Sequence, residues 1–378
     1  DESFAPYALN AQLVAQARQV LRSESLANVV YRMLREQARS LPDYRLSQKL
    51  GPQAALIVGS DYAIPGFYTQ TGYSKTFTAQ GANLVREILR DNWVLGEGET
   101  LSAADLSRLM VELEQLYFRD YGNYWGEAIA QLSLEPIGSA GRGAALLGGL
   151  TAANSPLLQM LVEVRDNTRF KGLAEAADDA GAAADALEGA KGKVGKAAKL
   201  ASAAAEQAQQ ALAKNTPDTA RKTLERRFES LHKLLDESGG AGVDLAAGLQ
   251  ALDDLQRQLA SLANAGASDQ AAFEMAKARM GGKRDAINQV RSAAARLPQP
   301  VGNWLALLAE DSWSLVLNDA YQFLNQRYQS ELYAAYDNSL KQRYPFSAHS
   351  ESDVAVADFR EFFKAQGIAE RFFDSYLR

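Results

Sequence analysis

Residues Asn303 to Tyr344 run without a single Gly or Pro, and this stretch limits the possible folds more than any other feature of the chain. It lacks the two residue types that most often end a regular element. Its apolar positions Leu305, Leu308, Leu315, Val316, Ala320, Phe323, Leu324, Tyr328, Leu332, Tyr336 and Leu340 follow helical spacing. An unbroken helix over this stretch would approach about 60 Å at 1.5 Å per residue, with Asp311-Ser312 the place where a kink is expected. A helix of that length needs other helices to cover its apolar face.

The rest of the chain repeats the same period. Leu9, Leu13, Ala17 and Val20 form one stripe, and Leu26, Val30, Met33 and Leu34 a second that Leu41-Pro42 stops. Leu84, Val85, Ile88, Leu89 and Trp93 form a third, ending at Gly96. Ser102 with Asp105 has capping-box spacing ahead of Leu106, Leu109, Met110, Leu113, Leu116, Tyr117 and Tyr121. Only residues 54–68 offer strand-like runs, Leu56-Ile57-Val58 and Tyr62-Ala63-Ile64 around Gly59-Ser60-Asp61, which predicts at most one small hairpin. The uncharged run Gly143 to Val162 has the length of a membrane span. Gly148, Gly149, Asn154, Ser155 and Pro156 interrupt it, so it reads as a small-residue loop followed by a helix with Ser155 as N-cap and Pro156 first in the helix.

At 378 residues the chain is long enough for two or three structural units at about 150 residues each. Composition shifts near residues 172 and 298: between them Ala, Gly, Lys, Gln, Asp and Glu dominate, and Phe228 and Phe273 are the only aromatics. Leu224, Phe228, Leu231 and Leu235 keep a heptad-like rhythm, as do Leu245, Leu249, Leu252, Leu255, Leu259 and Leu262, with Gly239-Gly240 and Gly281-Gly282 as breaks. The expectation is therefore an all-α, elongated, multi-helix chain. Residues 1–173 plus 297–378 form an aromatic-rich helical body, and 174–296 form an inserted antiparallel bundle whose first part, Ala174 to Ala213, packs weakly.

Little in the sequence points to catalysis. There is no Cys, and only His232 and His349, which removes thiolate chemistry and leaves few ligands for a metal. Net charge is −6, from 40 Lys and Arg against 46 Asp and Glu, so no overall positive field draws in nucleic acid. Gly138 to Gly143 resembles a phosphate-cradling loop, but Ala144-Ala145 stands where Lys and a hydroxyl residue are needed, and Gly195-Lys196 fails likewise. Lys191, Lys193, Lys196 and Lys199 follow the acidic Asp178, Asp179, Asp185 and Glu188 without interleaved aromatics, the pattern of a solvated helix face. Glu97 and Glu99 read as turn residues rather than a glycosidase pair. No catalytic residue, cofactor, metal, nucleic acid or small-molecule substrate is expected.

Aromatic density outside 174–296 is the remaining signal. Phe67, Tyr68, Tyr73, Trp93, Tyr121 and Trp125, with Phe372 and Phe373 near the end, are the candidates for core or for contact with other chains. Ile64-Pro65-Gly66-Phe67-Tyr68-Thr69 with Gly72-Tyr73, then Trp93-Val94-Leu95-Gly96, Leu116-Tyr117-Phe118 with Asp120-Tyr121 and Trp125, and Asn154-Ser155-Pro156-Leu157-Leu158 follow in order. Arg343-Tyr344-Pro345-Phe346, Asp353-Val354-Ala355, Asp358-Phe359, Phe362-Phe363, Gly367, Phe372-Phe373 and Tyr376-Leu377 complete the series. This series resembles the IcmF/TssM family of type VI secretion inner-membrane proteins. The resemblance says little about residues 174–296.

The resemblance implies a periplasmic piece of an inner-membrane-anchored protein, acting as a scaffold that bridges inner and outer membrane components and supports assembly of an oligomeric channel. It implies as partners further copies of itself, TssL, and the outer-membrane lipoprotein TssJ, the last through a β-rich domain beyond this chain. Two other readings compete. A periplasmic cell-wall enzyme would show two carboxylates about 5 to 9.5 Å apart in an acidic cleft. A helical adaptor would instead bind soluble partners.

Overall fold

The computed structural model describes residues 25–81, 83, 84, 103–170 and 219–378. The Leu9–Val20 stripe, the Val85–Trp93 stripe, Ser102, the pair Glu97 and Glu99, the Lys191–Lys199 cluster and the Ala174–Ala213 segment lie outside the described residues. Among the described residues the chain is helical with one two-stranded sheet, Ile57–Val58 against Ser133–Leu134, so the all-α expectation holds. The expected local hairpin does not form. Ile64 instead makes an isolated antiparallel bridge with Tyr44, with N···O distances of 2.8 and 2.9 Å. Each short apolar run takes its backbone partner from a distant segment, which local strand spacing cannot reveal.

The chain divides into two compact units, residues 1–133 with 156–242 and residues 134–155 with 243–378. This is not the grouping expected from composition. Residues 243–296 pack with the Gly- and Pro-free helix rather than forming an inserted bundle: Phe273 lies 5.1 Å from Phe323, and Ala272, Ala276, Ile287, Val290, Ala293 and Ala294 are buried. Residues 219–242 belong to the first unit, through buried Leu224, Phe228 and Leu231.

In the first unit, helix α1 (Leu26–Gln37) begins at Ser25, whose Oγ accepts from the Asn28 N–H at 3.3 Å. It buries Ala27, Val30, Tyr31 and Leu34, while Met33 is exposed. Helix α2 (Leu46–Leu50) follows, then a 3₁₀ turn Gly66–Tyr68 and a single turn Gln70–Gly72 that continues as a π segment, Tyr73–Thr78. Helix α3 (Ala103–Ala130) buries Leu109, Leu113, Tyr117, Phe118, Tyr121, Trp125, Ala128 and Ile129 at steps of three and four. Helices α5 (Pro156–Thr168) and α6 (Thr219–His232) complete the unit, and α5 begins at Pro156 as expected.

In the second unit, the stretch expected as a small-residue loop is helix α4 (Ala140–Leu150), capped by Ser139 Oγ accepting from the Arg142 N–H at 3.3 Å. Its glycines are poor helix formers, yet packing offsets that cost. A Cβ on Gly143 would lie 2.7 Å from Ile137 Cγ2 and 2.9 Å from Leu259 Cδ1, so only glycine lets α4 approach so closely. The phosphate-loop look-alike is thus a helix start that its own serine caps. Helices α7 (Val243–Ala263), α8 (Ser268–Met280), α9 (Ala286–Ala294) and α10 (Val301–Arg327) build the core. Asp311 and Ser312, the expected kink, stay inside α10. Fully buried Ser312 donates to the Leu308 carbonyl at 2.7 Å, and Asp311 Oδ2 accepts from the Ile137 N–H at 3.1 Å. The irregularity comes later, as a π segment at Tyr328–Tyr333 before α11 (Ala334–Ser339). Short helices α12 (Val356–Phe363) and α13 (Ile368–Phe372) close the chain.

Candidate functional site

The Ile64–Tyr73 segment is held by donors that reach its backbone from α3. Tyr117 OH donates to the Phe67 carbonyl at 2.6 Å, and Trp125 Nε1 to the Tyr68 carbonyl at 2.9 Å. Thr69 Oγ1 donates to the Gly66 carbonyl at 2.8 Å and accepts from the Gly72 N–H at 3.0 Å. Steps of four along α3 align Tyr117, Tyr121 and Trp125, and Tyr121 OH donates to the Asn167 carbonyl at 2.5 Å. A Cβ on Gly66 would strike the Pro42 carbonyl oxygen, and one on Gly72 the carbonyl oxygens of Gly66 and Phe67. The glycines of the motif therefore serve close backbone approach.

Phe67, Tyr68, Tyr121 and Trp125 are core residues of this cluster, and Tyr73 is half-buried, stacked on Phe77 with ring centroids 5.7 Å apart. Trp93 lies outside the described residues. Tyr31 OH gives its only proton to Asp120 Oδ2 at 2.8 Å, so Tyr68 OH is the donor in the 2.8 Å contact between the two phenols. Burial pushes the Tyr68 phenol up to about 12. It also raises Tyr31, Tyr117 and Tyr121 well above the ordinary phenol range. Tyr117 and Tyr121 are neutral donors to backbone carbonyls, while Tyr68 and Tyr31 form a side-chain relay of hydrogen bonds that ends at Asp120.

The second aromatic cluster faces solvent. Phe346, Phe359 and Phe363 are 36, 43 and 50 % exposed. The rings of Phe346 and Phe363 stack at 6.1 Å and 11°, and those of Phe359 and Phe363 lie 4.9 Å apart. Phe362, one residue from Phe363, is buried. Adjacent residues on a helix point about 100° apart, so α12 anchors through Phe362 while presenting Phe359 and Phe363. For the same reason Phe372 is buried and Phe373 is 52 % exposed. The charges around the cluster are paired locally: Arg343 lies 3.6 Å from Asp358, Lys364 pairs with Glu361, and Arg371 lies 3.7 Å from Glu361. Sequence reasoning did not single out Phe346, Phe359 or Phe363 as site residues, although the four-residue step from Phe359 to Phe363, with Phe362 between, carried the signal.

His232 ends α6, and its Nε2–H donates to Thr168 Oγ1 at 2.7 Å, since the hydroxyl proton is already given to the Val164 carbonyl at 2.6 Å. Burial, then Arg169 and Arg165, lower it to about 4, so it is neutral at physiological pH. His349 is exposed in the loop before α12. Among the described residues no group of three or more His, Cys, Asp or Glu side chains is gathered to hold a metal ion, and no helix is long and apolar enough to cross a membrane. What the geometry offers is contact surface.

Residues 1–169 match the family model described as IcmF-related, intracellular multiplication and human macrophage-killing. The chain is 26 % identical to the type VI secretion system component TssM1 of Pseudomonas aeruginosa PAO1, over 98 % of its own length and 34 % of that protein's. It thus spans about a third of this curated relative. Its fold is similar to that of a chain in a type VI secretion system membrane core complex, with a TM-score of 0.61 and 17 % identity, covering 94 % of this chain and 62 % of that one. A second, from a type VI membrane complex, gives 0.57 and 15 %, covering 97 % and 60 %. At those identities the structural likeness is one of fold. Together these matches show similarity to the IcmF-related family model over residues 1–169 and to TssM1 over nearly the whole length of the chain.

Proposed function

We propose that this chain is a non-enzymatic, structural segment of a type VI secretion membrane complex. In this reading it lies in the periplasm as part of an inner-membrane-anchored parent, bridges inner and outer membrane components, and supports assembly of the channel. The observation that carries the reading is the likeness to TssM1 over 98 % of the chain. The buried clamp supports it, since Tyr117 and Tyr121 are tied up in holding backbone. So does the outward cluster Phe346, Phe359 and Phe363, three apolar rings that face solvent. Partners on this reading are further copies of the parent, TssL, and TssJ, the last through a domain outside these residues.

The sequence given holds no Cys, so Phe359→Cys introduces a label site into this region of the parent. In intact cells a membrane-impermeant maleimide should label it, and cross-linking from the same position should capture another component of the membrane complex. Labelling only after the inner membrane is opened would overturn the periplasmic placement. A parent that purifies alone while secretion proceeds would overturn the scaffold role.

A further inference from the structure

One face of α6 carries Lys222, Arg226, Glu229 and Lys233, the last just past its end, at steps of four, three and four, so the four line a single stripe. Arg169, just after α5, faces them across an open groove of about 870 Å³ that Glu225, His232 and Leu235 also line, a volume in the range of ligand-sized clefts. The groove's own carboxylates are engaged: Glu225 Oε1 accepts from the Phe170 N–H at 3.0 Å, and Glu229 pairs with Lys233 at 2.7 Å. Among the described residues, Arg169, Lys222 and Arg226 have no carboxylate within ion-pair distance. The lining thus carries four cations against two carboxylates in a chain whose net charge is −6. His232 registers that field, since Arg169 and Arg165 add to the effect of burial in lowering it.

We infer that this groove is a docking surface for an acidic peptide segment of a partner protein, one whose carboxylates are separated by uncharged residues. Guanidinium forks match carboxylates in a bidentate way. Glu225 and Glu229, interleaved with the cations, repel a densely charged polyphosphate and leave room for spaced charges. Among the described residues no aromatic side chain lines the groove to stack on bases. A bilayer surface would call for apolar side chains at the rim, and Leu235 is the only large apolar residue in the lining among the described residues.

The test is fluorescence anisotropy on the 378-residue chain with a fluorescein-labelled peptide alternating Glu and Gly, against its Gln-Gly twin. The Glu peptide should bind at least about tenfold tighter at low salt and lose most of that advantage near 0.3 M salt. Lys222→Glu with Arg226→Glu should remove the advantage and the neutral Lys222→Gln with Arg226→Gln should reduce it several-fold. Both side chains are exposed, so the variants should keep the parent's melting curve. The exposed pair Lys283→Glu with Arg284→Glu should change nothing. With bound peptide, the NMR titration midpoint of His232 should rise from about 4 while His349 stays put. Equal binding of the Gln peptide, full binding by the charge-reversed chain, an unmoved His232, or tighter binding of inorganic polyphosphate or phosphatidylglycerol vesicles than of the Glu peptide would each overturn the proposal.

Discussion

Replacing Gly72 by Ala tests whether the Gly66–Gly72 turn is as tightly held as its contacts indicate. Gly72 has ordinary helical angles, φ −62° and ψ −40°, so alanine suits its conformation and would by itself add about 0.5–1 kcal/mol of stability. Space decides otherwise. The new Cβ would meet the carbonyl oxygens of Gly66 and Phe67 and lie 2.7 Å from the Phe67 carbonyl carbon. Neither carbonyl is free to yield, because Thr69 Oγ1 holds the first at 2.8 Å and Tyr117 OH the second at 2.6 Å. Opening the turn costs about 1–3 kcal/mol in overpacking and disturbs two hydrogen bonds worth about 0.5–1.5 kcal/mol each. The net expectation is a loss of about 2–4 kcal/mol, a fall of roughly 5–15 °C in Tm for a unit of this size. Differential scanning calorimetry reads this directly, with Gly148→Ala as the contrast. Gly148 sits inside α4 with only Gln256 near its Cβ direction, 3.9 Å away, and alanine there should stabilise by about 0.5–1 kcal/mol. A Gly72→Ala chain as stable as the parent would refute the clamp argument.

Tyr117→Phe should cost about 1–2 kcal/mol, since it leaves the buried Phe67 carbonyl without its 2.6 Å donor; urea unfolding measures it. His232 binds its proton more weakly when folded, at about 4 against an ordinary value of 6.5. The unfolded chain therefore holds more protons between those values, and stability should fall as pH drops from 6.5 toward 4; His232→Gln should flatten that slope in melts taken across the range. Phe362→Ser, at a buried position, should lose about 3 kcal/mol or more, while Phe359→Ser with Phe363→Ser should shift Tm only slightly yet abolish secretion by the parent. A parent that secretes normally with both outward phenylalanines removed would count against the contact role.

The helices were legible because their signals are local. Pro156 as a first helical residue falls where sequence spacing puts it, and the stripe over Leu109 to Tyr121 is the buried face of α3. What failed was non-local. Composition set residues 174–296 apart because Ala offers little area to bury, yet Ala272, Ala276, Ala293 and Ala294 are buried in α8 and α9. The shift in composition therefore marked a change in how helices pack, not a boundary between units. Gly143 misled in the same way: a residue that weakens an isolated helix is what allows α4 to approach Leu259. In the clamp, the aromatic positions could be counted from the sequence, but the carbonyls they serve could not, because Tyr117 and Phe67 lie fifty residues apart in the chain.

The outward cluster sets a limit on what it can hold by itself. A phenylalanine presents about 150–250 Å², so the exposed fractions of Phe346, Phe359 and Phe363 amount to about 250 Å², or about 6 kcal/mol if fully covered at 25 cal/mol/Å². Association costs about 4–15 kcal/mol in lost translational and rotational freedom before any side chain is ordered. The two nearly cancel, and the locally paired charges around the patch add little across a contact. A surface of this kind contributes where other contacts already hold the partners together, which is how it would act inside a multi-chain membrane complex. The purified chain should accordingly sediment as a monomer at micromolar concentration, and Phe359→Ser with Phe363→Ser should leave that behaviour unchanged. A stable dimer that these two substitutions dissolve would show that the patch holds partners unaided and would overturn this estimate.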